Sequence, residues 1–288
     1  MPERQASSTH GLDTPPWLRR LLIGGAVAVM VLLVVMPLVM VLLSAFGEGF
    51  ATWWAALTTP DALSALRLTL LTTAIVIPVN AVFGVFAAWA LTRFEFAGKR
   101  VVLALVDLPF AVSPVVAGLC LVLLFGSQGW FAEILREHDI RILFARPGIV
   151  LATLFITFPF VVRELVPLMQ QQGHEEEVVA RSLGANAWTM FFRVTLPNIK
   201  WGLLYGVLLC GARAMGEFGA VSVVSGHIRG LTNTLPLHIE ILYNEFDATG
   251  AFAVSSLLAG LALVTLVLKF WLEARHGDSL AKSHRRHG

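Results

Sequence analysis

Residues 21–43 read LLIGGAVAVMVLLVVMPLVMVLL, a run of 23 apolar residues without a single charge. About 20 such residues in a helix cross the hydrocarbon core of a bilayer. The run directly follows Arg19 and Arg20, as the apolar part of a secretory signal would, but it has no clear small-residue cleavage site. The sequence therefore predicts a retained first membrane-spanning helix.

The rest of the chain has the same apolar character. Of its 288 residues, 57% are hydrophobic and only 14% are charged, and the mean hydropathy is +0.76. A soluble domain carries about 25% charged residues and could not bury this much apolar surface. The composition excludes a soluble enzyme, a nucleic-acid-binding domain and a disordered regulator. We expect an all-α integral membrane protein that contacts lipid and no nucleic acid.

Five further runs are long enough to cross a bilayer, so the sequence predicts six transmembrane helices. The six predicted spans are about Leu21–Phe46, Leu66–Thr92, Val101–Phe125, Pro147–Met169, Trp201–Val224 and Ala251–Trp271. They define a membrane domain of residues 21–272. The polar residues before and after it, 1–20 and 273–288, are expected to form an N-terminal segment and a C-terminal tail on the cytoplasmic side.

The basic residues predict that orientation, because cytoplasmic loops carry an excess of Lys and Arg. Fourteen basic residues fall on one side and four on the other, and the remaining three lie within spans. The four are Arg136, Arg141, Arg146 and Arg229, and the three are Arg67, Arg163 and Arg213. Both termini are therefore predicted to lie in the cytoplasm, as six crossings require.

Two long connections face outward in this topology. Residues 126–146 mix both charges, which predicts a solvated loop with a short helix near Trp130–Glu137. In the second connection, residues 226–250, the run Leu235–Phe246 has apolar residues at helical spacing. Two interpretations stay open for this run: a helix lying on the outer surface, or a lid over a translocation path.

The loop between the fourth and fifth predicted spans, residues 173–198, has an unusual pattern. Three glutamates at 175–177 suit the first turn of a helix, and Gly184 suits its end. A second short helix is expected over Ala185–Arg193, ended by Pro197. It would expose a cluster of aromatic side chains, Trp188, Phe191 and Phe192. From the pattern alone the cluster is equally a partner site or a contact with lipid headgroups.

This loop resembles the cytoplasmic motif of ABC-importer permeases, which reads Glu-Ala-Ala, three residues, Gly, nine residues, Ile-x-Leu-Pro. Gly184 is followed by nine residues and then by Val194-Thr195-Leu196-Pro197. The start of the motif departs from the family, since its three positions hold Val178, Val179 and Ala180 and the acid stands one residue earlier, at Glu177.

Three other segments narrow the resemblance: residues 107–118 (DLPFAVSPVVAG), 160–167 (FVVRELVP) and 213–226 (RAMGEFGAVSVVSG). They are similar to the sulfate/thiosulfate permeases of bacterial ABC importers, and most to the W-type member of a T-type and W-type pair. The similarity extends over about residues 20–272. Molybdate permeases share part of it, around Gly216–Gly219.

The resemblance implies a type I ABC importer permease fold in the bacterial inner membrane. It also implies three partners: a T-type second permease, a dimer of ABC ATPases and a periplasmic sulfate/thiosulfate-binding protein. Loop 173–198 would couple this chain to the ATPase. The residues expected to take part in coupling are Glu177, Gly184, Ala185, Trp188, Phe191, Phe192, Leu196 and Pro197.

Charged and hydroxyl side chains within the spans are candidates for the translocation path or its gate, since a charge in a membrane normally faces the bundle interior or water. Arg213 and Glu217 are four residues apart and can pair, so they either line the path or form a structural ion pair. Asp107 either marks a gate at a broken helix or is a packing residue. Arg163 is expected to reach the interface or the loop. The candidates are Asp107, Ser113, Arg213, Glu217 and Ser222.

No catalytic site, cofactor or metal site is expected in this chain. It has no Gly-x-x-x-x-Gly-Lys-Ser/Thr phosphate loop, so ATP hydrolysis would belong to a partner. Three other hypotheses stay open: a permease of the same architecture for molybdate or another oxyanion, a secondary transporter or channel that works without an ATPase, and a membrane-bound enzyme.

Overall fold

The computed structural model describes residues 15–285, and every regular element in that range is helical. The predicted N-terminal segment lies mostly outside the described residues, as do residues 286–288 of the predicted tail. The helices are α1 (Pro16–Met30), α2 (Met36–Phe46), α3 (Phe50–Leu57), α4 (Pro60–Arg93), α5 (Lys99–Ala111), α6 (Pro114–Phe125), α7 (Ala132–Glu137), α8 (Arg146–Gln172), α9 (Glu175–Ser182), α10 (Ala187–Met190), α11 (Leu196–Met215), α12 (Gly219–Ser225), α13 (Leu235–Asn244) and α14 (Ala248–Arg285).

Four helical segments of the described chain are individually long and apolar enough to cross a membrane. They are Pro16–Phe46, Pro60–Arg93, Arg146–Gln172 and Ala248–Leu272. Two bent helix pairs bring the number to six when each pair is counted as one span. The helix count therefore agrees with the six predicted spans, whereas the orientation of the termini stays a prediction.

The third and fifth predicted spans are broken. Helices α5 and α6 meet at an angle of 111°, and the helix that runs from Ala187 to Met215 meets α12 at 53°. The first break has a local cause, because Pro114 has no N–H and disfavours the helical conformation at the residue before it. Ser113 accordingly has an extended ψ of 135°. The break that the sequence placed as one alternative near Asp107 is therefore present.

Pro197 does not end a helix, contrary to the sequence-based expectation. Instead, α10 continues into α11 through a π-helical turn, Phe191–Thr195, which lies immediately before the proline. A proline ring normally clashes with the carbonyl four residues earlier, and a wider i→i+5 turn relieves that conflict. The same arrangement recurs in the first span, where the π-helical turn Val31–Val35 precedes Pro37.

The centre of the bundle is formed by α4, α8 and α11. Its fully buried side chains include Val76, Val161, Leu165 and Ile199. One polar contact lies among them, because the Asn80 amide donates to Thr157 Oγ1 at 2.7 Å and to Cys210 Sγ at 3.4 Å. These hydrogen bonds offset the free-energy cost of burying the amide. Because Asn80, Thr157 and Cys210 lie on α4, α8 and α11, the contact joins the three central helices.

Gly84 allows α4 and α8 to approach closely. A Cβ atom built on Gly84 would lie 2.6 Å from Val161 Cγ1 and 2.7 Å from Val161 Cβ. We expect Gly84→Val to lower the free energy of unfolding by about 1–3 kcal/mol, the usual cost of overpacking. Thermal unfolding in detergent measures this. Gly260→Val on α14 is the matched control, because nothing lies within 4 Å of its Cβ position; equal losses in both variants would contradict the prediction.

The predicted outer face is covered by α13, which packs on α14 and α4. It corresponds to the predicted run Leu235–Phe246, and its buried residues include Leu235 and Leu237. The Leu235 backbone N–H donates to Thr69 Oγ1 of α4 at 2.9 Å. Burial lowers the pKa of His238 on the same helix, since desolvation disfavours the charged imidazolium. These contacts favour the interpretation of α13 as a fixed surface helix.

The last helix extends further than predicted. The sixth span was expected to end near Trp271, whereas α14 runs to Arg285. Helices α2, α3 and α13 pack against it. The other predicted outer helix, Trp130–Glu137, is present as α7 over Ala132–Glu137.

Candidate functional site

Residues 173–198, which follow α8 and include the first three residues of α11, are called the coupling loop below. Its first helix, α9, is followed by Gly184, whose φ of +87° lies in the left-handed region. The Ala185 N–H donates to the Ala180 carbonyl at 3.0 Å, which is a glycine-dependent helix end. Asn186 then begins α10 by accepting a hydrogen bond from the Thr189 N–H at 2.8 Å. The helix end predicted at Gly184 is confirmed.

Glu177 anchors the coupling loop to the bundle. Its Oε2 lies 2.8 Å from Arg93 Nε at the end of α4, and its Oε1 accepts a hydrogen bond from Thr195 Oγ1 at 2.7 Å. The side chains of Glu177 and Arg93 are only 10% and 11% exposed. Glu177 is therefore buried against its own chain and does not offer its carboxylate as a surface contact for a partner. Its predicted role in coupling stays a prediction.

The predicted aromatic cluster is divided between the surface and the core. Trp188 and Phe192 are 64% and 57% exposed, and their rings stack with centroids 6.0 Å apart. Phe191 is only 5% exposed, because its ring stacks on Phe86 and lies edge-on to Trp89 of α4. The expectation that all three aromatics are exposed is therefore wrong for Phe191.

The exposed surface of the loop includes apolar side chains that the sequence analysis did not single out, of which Leu183 is the most exposed. Leu183 is 83% exposed beside Gly184, and an apolar residue at a glycine-terminated helix end could have signalled it. Of the remaining predicted coupling residues, Pro197 is exposed, whereas Leu196 is half-buried and packs against the core. We call Leu183, Trp188 and Phe192 the apolar knob of the loop. Exposed apolar patches of this kind mark interaction sites.

Arg213 and Glu217 pair at the bend between α11 and α12. Arg213 Nη1 lies 2.7 Å from Glu217 Oε2, and Glu217 Oε1 accepts a hydrogen bond from the Ala220 N–H at 2.9 Å. The Glu217 side chain is 1% exposed and that of Arg213 is 33% exposed. Glu217 thus holds the first turn of α12 and the end of α11 together, which favours the structural ion pair of the two alternatives.

This geometry predicts different results for two substitutions of Glu217. Glu217→Gln keeps an acceptor for the Ala220 N–H, whereas Glu217→Ala removes both the acceptor and the partner of Arg213. We expect Glu217→Ala to cost about 1–3 kcal/mol, the penalty for an unsatisfied buried group, and Glu217→Gln to cost less. Thermal unfolding of both variants in detergent measures the difference, and equal losses would contradict a capping role.

The two breaks lie next to each other. A Cβ atom on Gly219, the first residue of α12, would lie 2.8 Å from Pro114 Cβ, the first residue of α6. Small residues let helices approach in this way. Of the two predicted hydroxyl candidates, Ser113 lies exposed at the first break, and Ser222 Oγ donates within α12 to the Gly219 carbonyl at 2.9 Å. The tertiary structure therefore combines the two broken spans into one region.

Asp107 and Arg163 form an ion pair on the surface of this single chain. Arg163 Nε lies 3.5 Å from Asp107 Oδ1, and the guanidinium lies over the Phe110 ring, 4.8 Å from its centroid. Both charged side chains are more than half exposed. Arg163 was expected to reach the interface or the coupling loop, and the structure instead pairs it with Asp107. Since charged groups in a membrane avoid lipid, this surface suits a water-filled path or a second subunit.

Broken membrane spans around a helical bundle, with an anchored loop that carries an apolar knob, are features of a membrane transport protein. Comparison with known proteins identifies the class. The chain belongs to the family of binding-protein-dependent transport system inner membrane components, which matches residues 80–277. It is therefore a multi-pass inner-membrane protein.

Individual relatives cover nearly the whole chain. The sulfate transport system permease protein CysW of Escherichia coli (strain K12) is 50% identical over 259 residues, which are 90% of this chain and 89% of that protein. Sulfate permease 2, chloroplastic, of Chlamydomonas reinhardtii is 49% identical over 96% of this chain and 74% of its own length. The sulfate transport system permease protein CysT of E. coli K12 is 36% identical over 88% of this chain and 92% of its own length. The predicted resemblance to W-type permeases is confirmed.

Solved structures confirm the predicted fold. A chain of a bacterial alginate ABC transporter, crystallised with an alginate pentasaccharide-bound periplasmic protein, superposes with a TM-score of 0.76. The match covers 90% of this chain and 94% of that chain at 17% identity. At this identity the likeness concerns the fold alone, which is that of an ABC transporter membrane subunit.

Proposed function

We propose that this chain is the W-type permease subunit of an ATP-driven importer that moves sulfate or thiosulfate across the inner membrane. The observation that carries the proposal is the 50% identity to a sulfate permease over 90% of the chain. The lower identity to the T-type relative, 36%, supports the W-type assignment. The chain is a non-catalytic subunit, and a separate ATPase supplies the energy.

The partners follow from the same proposal. A T-type permease pairs with this chain to form the translocation path, and the exposed Asp107–Arg163 pair suits that polar interface. A periplasmic sulfate/thiosulfate-binding protein delivers the anion from outside. A dimer of ABC ATPases binds the coupling loop, and its contact surface is the apolar knob of Leu183, Trp188 and Phe192, which are all more than half exposed.

The continuous helix from Ala187 to Met215 supports a lever mechanism. Its 29 residues extend about 43 Å at 1.5 Å per residue. One end carries Trp188 and Phe192, and the other ends next to the Arg213–Glu217 pair at the bend to α12. Movement of the apolar knob by the ATPase is therefore transmitted to the two breaks. ATP acts only through its different affinity for the inward-open and outward-open states.

The experiment that tests the function is uptake by the reconstituted complex. The tagged chain is purified in mild detergent with its partners, reconstituted into vesicles with the binding protein, and supplied with radioactive sulfate. We expect ATP-dependent uptake that unlabelled thiosulfate reduces. Reduction by molybdate alone would indicate the alternative oxyanion permease, and uptake that follows an ion gradient without ATP would indicate a secondary transporter.

A further inference from the structure

A cleft on the predicted outer side holds two arginines that the transport mechanism does not use. Its volume is about 530 Å³, and it lies between the end of α3, the first turns of α4, the start of α8 and residues 230–231. Arg67 of α4 and Arg146 of α8 both line it. The described residues that form its wall include no acidic side chain.

Neither arginine is neutralised by the described part of the chain. The ion pairs in that part include neither guanidinium, and no hydrogen bond to either is present. The acidic residue nearest to Arg67 in sequence is Asp61. Its carboxylate lies 3.7 Å from the guanidinium of Arg229, which also pairs with Glu245. The charge of Asp61 is therefore compensated outside the cleft, and the cleft itself keeps two positive charges.

The surrounding elements add to this positive potential. Arg146 is the first residue of α8, a helix of 27 residues, and the N-terminal end of a helix carries a partial positive charge. Arg67 lies seven residues into α4, about 10 Å along the helix. The hydroxyls of Thr58 and Ser64 already donate to backbone carbonyls, so the remaining side-chain donors among the lining residues are the two guanidinium groups.

Both arginines are exposed, and two positive charges on the wall of one cleft raise the local concentration of anions. Arginine binds tetrahedral oxyanions through paired N–H groups, and such charge-assisted bonds are the strong ones. We propose that this cleft binds a tetrahedral oxyanion through Arg67 and Arg146. The group is either free sulfate at the outer mouth of the transporter or the phosphate of an anionic lipid, since Leu63 and Leu71 on the cleft wall are exposed.

The free-sulfate interpretation rests on the proposed function, whereas the lipid interpretation does not. The test uses the purified complex of this chain with its partner subunits and measures binding rather than transport, so the cleft can fail to bind while uptake remains. One arm measures the stabilisation of the complex by sodium sulfate, with sodium chloride at equal ionic strength as reference. The other arm measures retained phosphatidylglycerol and phosphatidylcholine by native mass spectrometry. The variant is Arg67→Gln with Arg146→Gln. The matched control is Arg136→Gln with Arg141→Gln, which alters two arginines lining a separate outer cleft.

We expect the Arg67 and Arg146 double variant to lose at least about tenfold in affinity for one of the two probes, because it loses the charge-assisted hydrogen bonds to the anion. Loss in the sulfate arm assigns the cleft to the free anion, and loss in the phosphatidylglycerol arm assigns it to lipid phosphate. The control variant should keep both the stabilisation by sulfate and the bound phosphatidylglycerol of the wild type. Unchanged binding in both arms, equal losses in the control, or lost subunit assembly without lost binding would overturn the proposal.

Discussion

Replacing Glu177 with alanine is expected to detach the coupling loop from the bundle and to abolish uptake. The substitution leaves Arg93 without its carboxylate at 2.8 Å and Thr195 without its acceptor. Breaking a buried ion pair costs about 3–5 kcal/mol, because a charge remains without a partner. The lost contact is the one between α9 and α4. Without it the coupling loop is no longer fixed to the bundle, and movement of the ATPase is not transmitted to the helix from Ala187 to Met215. Sulfate uptake and thermal unfolding of the reconstituted complex measure both effects.

Two further variants separate the ion pair from general damage. Glu175→Ala removes an exposed glutamate of the same helical turn, and it should leave uptake and stability near the wild-type values. Arg93→Met with Glu177→Met replaces both charges with apolar side chains and should regain most of the lost stability. A stable and active Glu177→Ala variant would contradict the proposal that Glu177 anchors the coupling loop to the bundle.

Replacing Gly184 with valine is expected to reduce uptake strongly while the protein still inserts into the membrane. The residue has a φ of +87°, and a Cβ atom there would meet nothing within 4 Å. The cost is therefore backbone strain, about 1–2 kcal/mol for a residue forced into the left-handed region, and more for a β-branched one. Relief of the strain reorients Leu183 and Trp188 on either side. We expect uptake to fall about 5–30-fold, the equivalent of that energy, as measured in vesicles.

Gly98 provides the matched control for Gly184. It has nearly the same φ, +90°, and equally open surroundings, and it precedes α5 rather than lying in the coupling loop. Gly98→Val should therefore cost a similar amount of stability with a smaller loss of uptake. Gly184→Asn should keep most of the activity, because asparagine tolerates the left-handed region. A Gly184→Val variant with normal uptake would exclude a coupling role for this hinge.

Local patterns predicted the features of this chain that depend on neighbours along the sequence. Apolar runs located the spans, because only a helix satisfies its backbone in lipid. Gly184 marked a helix end, and a broken helix was one of the two interpretations of Asp107. The i and i+4 spacing of Arg213 and Glu217 indicated a pair. The second bond of Glu217, from the Ala220 N–H, was not predicted, because the sequence did not place a new helix start at Gly219, just after this glutamate.

The predicted exposure of coupling-loop side chains was wrong where residues far away in the sequence bury them. Phe191 is buried by Phe86 and Trp89, and Glu177 is paired with Arg93, residues about 80 to 105 positions earlier in the chain. No periodicity within the loop specifies those neighbours. The expectation that Pro197 ends a helix was wrong for a different reason. A π-helical turn over Phe191–Thr195 accommodates the proline ring, and no sequence pattern predicted that turn.

The sequence by itself determined that this protein is a helical membrane protein of the permease family, because burial in lipid and the spacing of the loop motif are properties of consecutive residues. Only the tertiary structure decided which side chains of the loop are free to meet a partner, and that Arg67 and Arg146 share a cleft. Those features depend on the packing of helices that are far apart in the chain, and packing is set by the whole bundle rather than by any one segment.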